Sequence, residues 1–159
     1  MIIVEHGGCD FAANSFAETH ALAFLGEYYR IPVPEGEAEQ ARYLLLAIDA
    51  MQRMRWRGYP VIGNQPLPWP RRGITMRNGE VLGTMIPYGI HHGQVRLAAE
   101  LYAADQGIEP FEPTHCYPKG RAVLLERSTD GFMTDPPLWV ASRTQFADYL
   151  AGRGLQTVS

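Results

Sequence analysis

The sequence is poor in cysteine, has no long apolar run, and over residues 50–79 contains no acid at all. Its two cysteines, Cys9 and Cys116, are too few for a disulfide framework and read as free thiols. No apolar stretch approaches the roughly 20 residues that a bilayer demands. The opening MIIVEHGG has neither a basic start nor an extended apolar segment. A signal peptide is therefore not expected, and the chain reads as intracellular in origin.

Catalytic and metal-binding frames are missing as well. No HExxH, CxxC, GxSxG, GxxxxGK(S/T) or GxGxxG occurs, which removes the usual scaffolds for zinc, acyl-transfer and phosphate chemistry. His91 and His92 are adjacent, so on a helix they project about 100° apart and chelate poorly together. His115-Cys116 has no second pair at usable spacing. Glu35, Glu37 and Glu39 fall near a helix start, where negative charge offsets the amide dipole. No enzymatic activity, cofactor or metal is expected.

What is present is a chain of 159 residues, 46% hydrophobic and 19% charged, enough for one packed domain. MIIVE reads as a short edge strand. A helix follows in NSFAETHALAFLGEYYR, opened by a Ser15–Glu18 capping box, with Ala17, Ala21, Phe24 and Tyr28 inward and Leu25 beside them. Pro32 ends it. A second helix is expected from Glu37 to Arg55, with stripes Ala41, Leu44, Ile48, Met51 and Tyr43, Ala47, Ala50, Met54. Asn78-Gly79 marks a tight hairpin whose turn residues both take positive φ. Pro87 suits the first turn of a third helix running to about Asp105, with Val95, Ala98, Leu101 and Tyr102 inward and Gly107 as its stop.

The fold class expected is mainly α: a small bundle of three to four helices with a β-hairpin or short strands and an extended C-terminal region. Residues 1–107 form the helical core. Residues 108–159 form an extension with a strand at RAVLLER and a short helix opened by a Ser142–Gln145 capping box. That extension either lies on the helices or is ordered by a partner.

Charge is distributed unevenly. The net value is −3, yet residues 1–49 hold eight acids and two bases, whereas residues 50–79 hold Arg53, Arg55, Arg57, Arg71, Arg72 and Arg77. Helix-end cations account for some of this block. They do not account for QPLPWPRRG at 65–73, where prolines stiffen the chain around Trp69 and two arginines follow. Trp56, Trp69, Pro70 and Arg53, Arg55, Arg57, Arg71 and Arg72 are therefore the candidate site. Tryptophan with arginine is the composition of subunit or partner hot spots, and equally of single-strand nucleic-acid grooves. Trp69 could also cap its own subunit's helices.

ANSF at 13–16, RMRWRG at 53–58, QPLPWPRRG at 65–73 and the Ile86-Pro87 helix start resemble a family of tailed-phage proteins, over about residues 1–105. Its members are often labelled DnaT-like single-stranded DNA-binding proteins, while their helical core looks like that of head–tail connectors, or adaptors. The resemblance implies a structural virion protein at the phage neck. It would form a homo-oligomeric ring, usually of twelve copies, contacting the portal and the tail or neck proteins. Double-stranded DNA would pass through the lumen without specific binding, and no membrane would be involved. A single-stranded DNA-binding replication protein is the alternative.

Overall fold

The computed structural model describes residues 1–107 and 142–151. Four α-helices make up the described part: α1 (Thr19–Tyr29), α2 (Glu37–Gln52), α3 (Tyr88–Gln106) and α4 (Ser142–Phe146), the last running into a 3-10 turn over Ala147–Tyr149. A two-residue antiparallel ribbon pairs β1 (Tyr59–Pro60) with β2 (Arg71–Arg72). The mainly α class expected from the sequence is what the chain adopts. Among the described residues, no helix is long and apolar enough to cross a membrane.

The core lies where α1, α2 and α4 pack on α3. Tyr43, Leu44, Ala47, Ile48 and Met51 bury one broad side of α2, as its two apolar stripes predict. On α3, Val95 and Ala98 are buried as expected, and Ile90, Gly93, Gln94, Leu97, Ala99 and Ala103 join them. Gln94 is the one polar side chain of that helix in the core. Its Oε1 accepts from Phe16 N at 2.8 Å, and its Nε2 donates to Ser15 Oγ at 2.8 Å and to the Leu44 carbonyl at 3.0 Å. With its bonds made, the amide ties the N-terminal segment to both long helices, where a bare one would cost stability.

Several local expectations are corrected. Helix α1 begins at Thr19 with Glu18 as its cap residue, and Ser15 makes no capping box. The Ser15 hydroxyl is engaged instead by Gln94 and by the Ala17 backbone. The buried side of α1 is Leu22, Leu25 and Gly26, one position round from the predicted face. One residue is about 100° of rotation, so Phe24 and Tyr28 face outward at 64% and 66% exposure. Gly26 explains the rotation: a Cβ there would come within 2.5 Å of the Val33 side chain.

Helix α2 stops at Gln52, not Arg55. There the Trp56 indole N–H donates to the Met51 carbonyl at 2.9 Å, satisfying an end carbonyl that a further turn would use. MIIVE forms no sheet edge. Val4 bridges Ser15 in parallel, and Asn14 donates to the Ile3 carbonyl at 2.9 Å. In the hairpin, Gly79 takes positive φ and Asn78 does not. Gly79 N donates to Met76 O and Met76 N to Glu80 O, the three-residue loop of a type I turn with a glycine bulge. Pro87 caps α3 from outside, and Gly107 closes it in the left-handed region.

Residues 142–151 lie on the helices. Phe146 is buried against Gly93, where any side chain would collide with its ring, and Gly89 faces the Gln145 carbonyl in the same way. Trp56 bridges Leu150, Arg57 N donates to Tyr149 O, and Ala151 N donates to Arg55 O. Ser142 binds the Glu100 carboxylate through its hydroxyl and amide, so the expected partnership with Gln145 is replaced. The strand expected at RAVLLER falls outside the described residues, as does Cys116. Cys9 is a free, buried thiol.

Candidate functional site

The segment after α2 folds back on itself. Proline keeps residues 65–70 out of helix and of any central strand, so the loop is held by side chains. Gln65 does much of this. Its Nε2 donates to the Leu67 and Pro70 carbonyls at 2.9 Å each, and its Oε1 accepts from Ile62 N at 2.9 Å. The wrapped loop delivers Trp69 into the core with 0% exposure. The indole meets Trp56 and Tyr149 edge-to-face, with centroids 5.9 and 5.6 Å away, and Trp56 meets Phe146 likewise at 5.1 Å. Burying about 150–250 Å² of indole contributes about 4–6 kcal/mol at most.

Trp56, Trp69 and Pro70, expected at a subunit or partner interface, are thus interior residues. The reason is the same stiffness that suggested docking. An indole on a rigid turn beside its own bundle is captured by that bundle first.

Arg71 is also turned inward. Its Nε donates to the Arg57 carbonyl at 2.8 Å, Nη2 to the Gly58 carbonyl at 3.0 Å and Nη1 to the Pro68 carbonyl at 3.1 Å. Burial pushes its guanidinium below the ordinary value, though the group stays charged. Arg57 reaches the Asp148 carbonyl at 2.7 Å and the Thr75 carbonyl at 2.6 Å. These two arginines rivet the β ribbon, the hairpin and the α4 turn to one another. Gly58 makes the ribbon possible: it has φ 69°, and a Cβ there would strike the Arg72 carbonyl.

Four arginines of the block are left facing solvent: Arg53 and Arg55 beyond the end of α2, Arg72 on the ribbon and Arg77 in the hairpin. Among the described residues, the ion pairs formed are His20–Glu18 and Arg42–Glu39, so none of these four has a carboxylate partner. Tyr59, opposite Arg72 on the ribbon, is 58% exposed and supplies an aromatic surface beside them. Sequence reasoning missed it because nothing in GYP distinguishes an outward tyrosine from an inward one. Glu35, Glu37 and Glu39 are exposed at the other end of α2, and Asp49 is the one exposed acid in its last turn. The helix's 16 residues make it about 24 Å long.

His91 and His92 lie side by side near the start of α3. Among the described residues no group of three potential ligands is placed to hold an ion. Burial pushes both imidazoles below their ordinary value of 6.5, aided at His91 by His20 and at His92 by His91 and Arg96. Their rings pack with Tyr88, whose centroid is 4.0 Å from that of His92.

No curated protein and no solved structure matches the chain. Residues 142–151, which cover Trp56 and Trp69, lie outside the residues that a family model matches. That match spans residues 1–114, including the whole arginine segment, and by it the chain belongs to the family described as "Putative DnaT-like ssDNA binding protein".

Proposed function

We propose that the chain is a structural subunit of a tailed-phage neck, a head–tail connector that assembles as a ring beneath the portal and leaves a channel for DNA. It performs no reaction. One observation carries this reading: three exposed acids, Glu35, Glu37 and Glu39, stand at the start of α2 and the exposed arginines Arg53 and Arg55 follow its end, where Asp49 is the one exposed acid of the last turn and no ion pair to it forms among the described residues. A closed ring of identical subunits uses head-to-tail contacts, which need two different, complementary faces on every copy. An acidic start and an arginine-rich end of α2 supply both. A net charge of −3 also suits a channel through which phosphates must slide without being gripped.

The family's description favours a second reading, single-stranded DNA binding. Its physical support is Arg72 beside the exposed Tyr59, a cation next to a ring on which a base can stack. Both indoles are occupied inside the fold, which weakens it.

Reconstitution separates the two. Mixed with the purified portal, the full chain is expected to co-sediment as rings, and an oligonucleotide titration at low salt is expected to be flat. Tight oligonucleotide binding that falls steeply with salt and is lost on Tyr59→Ala or Arg72→Ala, without rings on the portal, would establish the second reading instead.

A further inference from the structure

The arginine end needs a receptor, and the outward face of α1 has the matching chemistry. Phe24 and Tyr28, four residues apart, stack with ring centroids 5.6 Å apart and planes 14° from parallel, while both are mostly exposed. Glu27 lies exposed between them in sequence. The short connection from α1 to α2 keeps Glu35, Glu37 and Glu39 at the same end of the molecule. Two stacked, solvent-facing rings on one side of a helix make a contiguous aromatic patch. Ring faces with carboxylates around them are what a guanidinium binds best, through forked hydrogen bonds and stacking together.

We propose that this aromatic–acidic face, built on Phe24, Glu27 and Tyr28, is the docking site for a second copy of the chain, whose Arg53, Arg55 and Arg72 seat on it. This rests on the connector reading and names its two faces. The occupant is a second copy because the charges are complementary and α2, about 24 Å long, separates the acids at its start from Arg53 and Arg55 beyond its end. A single copy therefore does not close them on itself, and each copy leaves one face of each kind free. Such contacts propagate head-to-tail.

The test uses two full-length variants altered only at exposed positions, with folding checked by circular dichroism. One, F24S/E27K/Y28S, lacks the receptor and keeps its arginines. The other, R53E/R55E/R72E, lacks the arginines and keeps the receptor. Association is read by sedimentation velocity and by concentration-dependent NMR shifts up to about 1 mM, where even a contact of about 4 kcal/mol is half formed. Wild type is expected to self-associate, and each variant to do so at least about tenfold more weakly. Their mixture is expected to form a one-to-one complex that grows no further, since it retains one good interface and no second.

Self-association equal to wild type in either variant, or no association of wild type at that concentration, would overturn the proposal. So would arginine signals that respond to a thymidine oligonucleotide and not to protein concentration. Portal co-sedimentation is read in parallel. Rings that form with both variants remove this interface and keep the connector. The one-to-one complex without rings on the portal keeps the interface and removes the connector.

Discussion

Removing the Arg71 side chain strands the carbonyls of Arg57, Gly58 and Pro68 that its guanidinium now serves. Hydrogen bonds to a charged donor are worth about 1.5–3 kcal/mol net, and urea denaturation of Arg71→Ala should show a loss of that order. Arg71→Lys should recover less than half of it, because an ammonium has no fork to span three acceptors. Trp69→Ala should cost about 3–5 kcal/mol as a large-to-small core change. A loss of partner binding in that variant would therefore report unfolding and not a lost contact. The histidines give a pH signature. His91 and His92 are held below 6.5 in the folded chain, so below that pH the unfolded state takes up protons that the native state refuses. Their contribution is complete above about pH 6.5 and is lost as pH falls below it. Denaturant midpoints from pH 5 to 8 should drop on the acid side, and less steeply in His91→Gln/His92→Gln.

Glycine decides how the elements fit. Gly93→Ala would gain about 1 kcal/mol of helix propensity, but the new methyl group would collide with the Phe146 ring. Overpacking costs of about 1–3 kcal/mol should win, with residues 142–151 losing hydrogen-exchange protection first. Phe146→Ala should expose the same segment and cost about 3–5 kcal/mol. Much of this architecture was legible in the chain. The burial of α2, the Gly107 stop, the hairpin at Asn78-Gly79 and the short helix at Ser142 all follow from periodicity and turn chemistry. The failures share a cause. Ser15 and Ser142 look like caps of their own helices, whereas Gln94 and Glu100 engage them from far along the chain, and the Phe24–Tyr28 face turns outward because Val33, beyond the end of α1, packs on Gly26. The candidate site split for the same reason. Composition placed tryptophan and arginine together, but only packing could show that Trp56, Trp69, Arg57 and Arg71 hold the fold while Arg53, Arg55, Arg72 and Arg77 are left outside it.

At the scale of the molecule, QPLPWPRRG is an internal lock that aims its surroundings outward: the indole fills the core, Arg71 closes the loop, and Arg72 emerges on the ribbon. The exposed Arg53 and Arg55 then follow one end of α2, while Glu35, Glu37 and Glu39 stand at the other. Contacts between such ends should weaken with salt, since the screening length shortens from about 10 Å at 0.1 M to about 3 Å at 1 M. Part should survive, because stacking on Phe24 and Tyr28 is less salt-sensitive than charge pairing alone. An image reconstruction of the assembled phage neck tests the central claim most directly. The account predicts a closed ring of this chain against the portal, with each subunit's Arg53, Arg55 and Arg72 buried on its neighbour. A neck without density for the chain, or a ring whose arginines all face open solvent, would contradict it.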